Sequence, residues 1–284
     1  MKKTIVLILS ILALVSCTEF FDVSIPLEVD PHESRMAPSA LLGNFTSDFY
    51  DEAYNNYIFL SRSKGALDNS ETPLSISQAT ITLSTDNIMI NYTEKYDHQG
   101  YYFPNEEIDF IAGQVYKLSI EKSGFHSITS TQVYPSHVPV ISANISNEIL
   151  KVKFQDAPNV KDHYFLQLIT ENDNNITYTV YLKPFDNSII KSHHSGGGLL
   201  FTDELFDGTL KEITAKTGSM DPDASKLKVL LFHVTEDYFY YFKSLKLNEE
   251  TEENPFAEPV IMYTNIENGY GIFGLRNTSE YIIE

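Results

Sequence analysis

Cys17 is the only cysteine in the chain, so whatever folds here folds without an internal disulfide. The position of that cysteine gives the reason. It closes the stretch MKKTIVLILSILALVSC, in which Lys2 and Lys3 precede a run from Thr4 to Val15 whose only polar residues are Thr4 and Ser10. The run ends in Leu14-Val15-Ser16-Cys17, the Leu-x-small-Cys order of a bacterial lipobox. This is the layout of an export signal, and the run is shorter than the ~20 apolar residues that span a bilayer. The sequence therefore predicts a lipoprotein signal peptide over 1–16, a thioether-linked lipid on Cys17 and a tether over 17–35. An exported domain with no thiol left must stand on its hydrophobic core alone. At 284 residues in all, the chain is long enough for one large or two modest domains.

Charge narrows the partners. The formal net charge is −19, and Lys2 and Lys3 leave with the leader, so the mature chain is more acidic still. Such a chain repels phosphate backbones, which argues against nucleic acid as a partner. It also repels anionic lipid, so the acyl anchor is expected to hold it at the membrane unaided. Aromatic residues are 18 Tyr and 18 Phe with no Trp, a strand-favouring set. No later stretch is long and apolar enough for a second span.

The pattern along the chain is one of short strands. Strands are predicted over Ala40–Phe45, Asn55–Ser63, Ala79–Ser84, Ile88–Tyr92, Gln99–Phe103, Gly113–Glu121 and Ser127–Val133. Residues 135–139, with Pro135, His137, Val138 and Pro139, read as a linker. Strands resume at Ile149–Phe154. Asp162–Thr170 is expected to pair with Ile176–Lys183 across Glu171–Asn175. Leu199–Phe201, Lys226–Val234, Pro259–Asn265 and Gly271–Ile283 complete the set. Thr235-Glu236-Asp237 gives a helix start, a hydroxyl followed by two acids, and Tyr238, Tyr241, Phe242 and Leu245 recur at helical spacing. The expected helix spans about 236–247, with an acidic loop over 248–254. The resulting fold class is mainly β: two consecutive antiparallel β-sandwich domains, immunoglobulin- or transthyretin-like, over 36–138 and 139–284, with one helix in the second.

Each candidate site has an ordinary reading that outweighs the chemical one. His193-His194, with Asp203 and Glu204 downstream, are metal-binding residue types, but adjacent histidines on a strand point apart. The glycines 196–198 lack the Lys-Ser/Thr and the helix of a phosphate loop. Asp221-Pro222-Asp223 lacks the later oxygens of a calcium loop, and Glu171–Asn175 reads as a hairpin tip. There is no Gly-x-Ser-x-Gly, and the one cysteine is assigned to lipid. Carboxylates abound, yet no glycosidase pair stands out. The stripe Tyr238–Leu245 reads as core, with Phe239 and Tyr240 either packing under 254–259 or forming a partner patch, the packing favoured. Neither metal nor cofactor is expected, and Cys17 is the one functional position.

Three segments resemble a known family. The first is Leu60–Gly65 with Leu67–Ser70 and Ser77–Leu83. The second is Gly196–Gly198 with Phe201–Gly208. The third, the most specific, is Tyr238–Leu245 with Asn254–Val260, Asn265–Gly269 and Gly271–Gly274. With the lipobox, these are similar to the family filed as domain of unknown function 4249, cell-surface lipoproteins of the Bacteroidetes type. The resemblance implies two β-rich domains behind a lipid anchor, often encoded beside TonB-dependent transporters, and it assigns no catalytic residue. The expectation it supports is an outer-membrane, cell-surface lipoprotein: a non-catalytic binding or accessory component of TonB-dependent nutrient uptake. The alternatives are a stand-alone glycan- or peptide-binding lipoprotein, a carboxylate-dependent hydrolase and a structural envelope or adhesion protein. The expected partners are the outer membrane, a TonB-dependent β-barrel and a small nutrient, glycan or peptide.

Overall fold

Period-two burial governs this chain. A computed structural model describes residues 32–44, 56–65, 68, 72–173, 177–192, 197–222, 224–252, 258 and 260–283. The first strands are β1 (Met36–Asn44), β2 (Ile58–Arg62), β3 (Thr80–Ser84), β4 (Met89–Glu94), β5 (Tyr101–Pro104), β6 (Val115–Glu121) and β7 (Ile128–Val133). After residues 134–139 come β8 (Val140–Ser146), β9 (Ile149–Gln155), β10 (His163–Asn172), β11 (Thr177–Val180), β12 (Leu182–Pro184), β13 (Ile190–Ser192), β14 (Gly198–Thr202), β15 (Leu210–Thr217) and β16 (Ala224–Val234). Helix α1 (Glu236–Glu252) and the long strand β17 (Ile272–Ile283) complete the order.

The described residues are mainly β with one helix, built as one large mixed sheet and one small antiparallel sheet. The large sheet is 13-stranded and runs β13-β14-β10-β16-β17-β1-β2-β5-β4-β3-β6-β7, with β11 beside β10; the small one runs β12-β15-β9-β8. Continuity across the chain comes from β17. Its first half pairs parallel with β1, Ser39 opposite Ile272 through Asn44 opposite Asn277. Its second half pairs antiparallel with β16. Ser34–Glu284 forms a single compact unit.

Three apolar clusters follow from which strand faces are covered. β3, β4, β6 and β9 alternate buried and exposed residues, as half-covered strands do. The strands β1–β7 turn one face to a common core that includes Leu42, Ile58, Leu83, Tyr102 and Leu118, closed by Phe273 and Leu275 of β17. By contrast, β10 and β16 are buried on both faces. On one side Tyr164, Leu166, Leu168, Val229 and Leu231 meet Leu150, Val152, Phe154, Ile213 and Ala215 of the small sheet. On the other, Phe165, Ile169, Leu230 and Phe232 meet Tyr238, Phe239 and Phe242 of α1. A sheet sandwiched in this way reads as near-continuous apolar sequence, and both strands do.

Several expectations are corrected. Ile176–Lys183 is not one strand: β11 pairs with β10 in the large sheet, and β12 pairs with β15 in the small one. Tyr181 sits at the corner, where its carbonyl accepts from Gly218 N at 2.7 Å. Residues 260–265 are not a strand; Tyr263 N instead donates to Ser244 Oγ at 3.0 Å. The helix runs past 247 to Glu252, and Lys246 pairs with Glu249 and Glu250 across that last stretch. Strands β8, β13 and β15 were not foreseen. The Thr235 hydroxyl accepts from Leu275 N on β17, at 3.2 Å. Phe239 and Tyr240 pack beside His163, at ring distances of 5.0 and 6.3 Å, and Tyr240 also meets Tyr263; residues 254–257 and 259 lie outside the described residues.

The connector at 134–139 is irregular but firmly held. Tyr134 OH donates to Arg276 O and accepts from Asn44 N, both at 3.1 Å. Asn277 Nδ2 donates to Pro135 O at 3.0 Å, and Val140 N donates to Ser279 Oγ at 2.9 Å. These four anchors lie on β1 or β17, so the crossing is fastened to the strands that join the two halves.

Candidate functional site

Much of what the sequence singled out lies outside the described residues: Cys17 with its leader and the tether to 31, His193-His194, Gly196, Asn174-Asn175 and Asp223. Asp221 stands in a turn, its carbonyl accepting from Ala224 N at 3.1 Å. Gly198 is required by packing, because a Cβ there would lie 2.5 Å from the Phe165 ring. Glu171 is no hairpin tip: it is buried at the end of β10 and paired with Lys226 and Lys228.

The strongest concentration of titratable groups was not foreseen as a unit. Asp156 follows β9, Asp162 precedes β10, and Asp203 and Asp207 follow β14. Asp156, Asp162 and Asp203 are at most 2 % exposed. Asp156, Asp203 and Asp207 each bring an oxygen within 4.8 Å of the others, the donor type of a hard divalent cation. Two of these carboxylates, Asp156 and Asp207, already hold structural hydrogen bonds. Asp156 accepts from Tyr164 OH at 2.5 Å and from Gly208 N at 2.8 Å, and Asp207 accepts from Asn159 N at 2.8 Å. Burial, reinforced by repulsion from Asp162 and Asp207, holds Asp156 above the ordinary carboxylate range despite its two donors. Burial, with repulsion from Asp156 and Asp162, raises Asp203 likewise.

A stability prediction follows from the sign of these shifts. An acid whose folded-state pKa is raised binds more protons folded than unfolded, so stability falls as pH rises through that value. In the window just above the ordinary carboxylate range, the unfolding midpoint should fall with rising pH. Asp203→Asn should flatten that fall and raise the midpoint at neutral pH, as checked by urea titrations at several pH values.

His233, Ser136 and Asp162 have the composition of a hydrolase triad. His233 Nε2 lies 3.1 Å from Asp162 Oδ1, and Nδ1 lies 3.3 Å from Ser136 Oγ. Nδ1 is closer to the Ser136 carbonyl oxygen, at 2.8 Å. A ring nitrogen that donates to a carbonyl cannot take the serine proton. The trio therefore fastens the connector to β16.

The most specific family-like segment is structural too. Asp237, in the first turn of α1, accepts from Gln132 of β7, from Tyr263 OH and from Asn265 Nδ2. The Asn265 amide also accepts from Phe273 N at 3.0 Å and donates to Phe273 O at 2.7 Å, imitating a strand partner. A Cβ on Gly269 would lie 2.7 Å from Met36 O, and one on Gly271 would lie 2.1 Å from Pro38 O. Side-chain amides and absent Cβ atoms here let the start of β17 lie against β1.

Among the described residues, a mainly-β architecture with one helix and these junction residues defines the class. The family described as Domain of unknown function (DUF4249) matches residues 49–282, and the chain belongs to that family. No curated protein and no solved structure matches it.

Proposed function

We propose that the chain is an outer-membrane lipoprotein, held at the cell surface by acyl chains on Cys17, serving as a non-catalytic binding or accessory component of a TonB-dependent nutrient-uptake system. The observation that carries this reading is the tetrad Leu14-Val15-Ser16-Cys17 at the end of a short apolar run. Two or more acyl chains give stable anchoring, at roughly 0.8 kcal/mol per buried methylene. Among the described residues no helix is long and apolar enough to cross a membrane. We further read the fold as two sandwich-like lobes, before and after the connector; their separate apolar clusters support this.

Metabolic labelling with an alkyne palmitate should mark the wild-type chain. Cys17→Ser should abolish the label and, after a high-salt wash, leave the chain in the soluble fraction. Label retained in Cys17→Ser would overturn the anchor. Gentle pull-down of the lipidated chain should bring a β-barrel with it; recovery of the lipoprotein alone would remove the accessory role. One observation favours a second reading, direct glycan capture. Tyr57, Phe59 and Tyr101 cluster at the junction of β2 and β5, with ring distances of 5.4 and 4.7 Å from Tyr101, and Tyr57 is 41 % exposed.

A further inference from the structure

The small sheet carries a distribution of charge that the net value conceals. Its inner face is apolar and packs on β10 and β16, so strand alternation sends every second residue of β9, β12 and β15 outward. Those outward residues include Lys151 and Lys153 of β9, Lys183 of β12 and Lys216 of β15, all exposed. The only acidic strand residue among them is Glu212. Lys153 stands opposite Glu212, Lys151 opposite Thr214, and Lys183 directly opposite Lys216. Lys153 and Lys151 share Glu212, at 3.2 and 3.9 Å, and Lys216 reaches Glu148 at 3.4 Å. Among the described residues Lys183 has no acidic partner.

A like-charged pair directly across two strands is destabilising. Lysines do protect sheet edges from unwanted pairing, and that would account for Lys183, since β12 is an edge. It does not account for Lys151, Lys153 or Lys216, because β9 and β15 are paired on both sides. The overall charge of −19 does not cancel the patch either. At physiological ionic strength charges beyond about 8 Å are largely screened, so a surface touching this face meets its lysines first.

We propose that the outer face of the β12-β15-β9-β8 sheet docks on an anionic lipid surface, its lysines meeting the phosphates of the leaflet that holds the anchor on Cys17. The proposal rests on the lipoprotein reading. Charge complementarity selects the occupant. The lysines are spread over three strands of one sheet face, separated by Thr214, Ser142 and Asn144. Flexible point charges suit a field of phosphates better than a shaped carboxylate or aromatic partner. Each basic residue near an anionic leaflet raises partitioning by about fivefold. Docking would fix which side of an otherwise repelled, acidic body faces the membrane.

The test uses the full lipidated chain in phosphatidylglycerol or phosphatidylcholine vesicles, with amine acetylation read at each lysine by mass spectrometry. Lys151, Lys153, Lys183 and Lys216 should be acetylated several-fold more slowly on the anionic vesicles only, and high salt should restore the rate. Lys117 and Lys243 serve as exposed references. In the Cys17→Ser chain, flotation with anionic vesicles should persist, and adding K153E/K183E should reduce it by about 25-fold or more. Equal acetylation on both vesicles, with the acyl label present, overturns the docking and leaves the anchor. Protection in a wild-type chain that takes up no acyl label overturns the anchor and leaves the docking. Protection that grows with protein concentration in vesicle-free buffer assigns the face to a second copy and overturns the lipid proposal.

Discussion

Gly271→Ala is expected to reduce folding stability by about 4 kcal/mol or more. Two effects add. The backbone at Gly271 has φ +90°, a region that L side chains rarely adopt and that costs about 1–3 kcal/mol. A Cβ there would also lie 2.1 Å from the Pro38 carbonyl oxygen, and a backbone atom cannot swing aside as a side-chain tip can. Relieving that overlap means prising β17 from β1, the parallel pair that makes the large sheet continuous. Gly124→Ala is the control. Its φ is +88°, but a Cβ would meet nothing within 4 Å, so only the conformational cost of about 1 kcal/mol is expected. Urea titration reads both as shifts of the midpoint at unchanged slope. If the two variants shift equally, the close approach of Gly271 to Pro38 does not carry the junction.

That junction also marks where sequence reasoning stops. Strands such as β3 and β6 are readable because one face is wet: Ile81 and Leu83, or Tyr116, Leu118 and Ile120, point inward while their neighbours do not. The long β16 is readable because both faces are covered. Strand β15 is not, since Lys211, Glu212 and Lys216 surround its two inward apolar residues, Ile213 and Ala215, and composition alone makes that a loop. Strand order is a further step removed. The β1–β17 pairing joins residues more than 200 positions apart, and its trace in the sequence is a set of glycines whose neighbours only the fold supplies. The carboxylates Asp156, Asp162 and Asp203 each look like loop residues. Their shared burial exists only once β9 and β14 end where β10 begins. The lysines of the small sheet are intermediate: Lys-Val-Lys in β9 shows a charged face, but nothing local puts Lys183 and Lys216 beside it.

Lys228→Met should cost about 3–5 kcal/mol, the scale for removing one partner of a buried ion pair. Lys228 is 4 % exposed and Glu171 is 3 % exposed. The Lys228 ammonium lies 2.9 Å from Glu171 and 3.5 Å from Glu280, so β16 holds a charge between β10 and β17. Lys226 approaches the other Glu171 oxygen at 2.5 Å, but its own side chain is 48 % exposed and it cannot serve Glu280 as well. Methionine fills the volume without the charge, which isolates the electrostatic loss. The pH dependence has two limbs. Hydrogen bonds from Lys226 and Lys228 hold Glu171 below its ordinary value against burial. Its contribution is therefore present at neutral pH and lost as pH falls through that depressed value. Burial pulls Lys228 down, and Glu171 and Glu280 more than reverse it, leaving it above 10.5. Its contribution is present below 10.5 and lost as pH rises through the raised value. In Lys228→Met both limbs should shrink together. Lys228→Met/Glu171→Gln should recover part of the loss, because the stranded carboxylate, more than the missing ammonium, is what the fold cannot tolerate. A single variant that costs under about 1 kcal/mol would place the pair in water, where exposed ion pairs contribute no more than that.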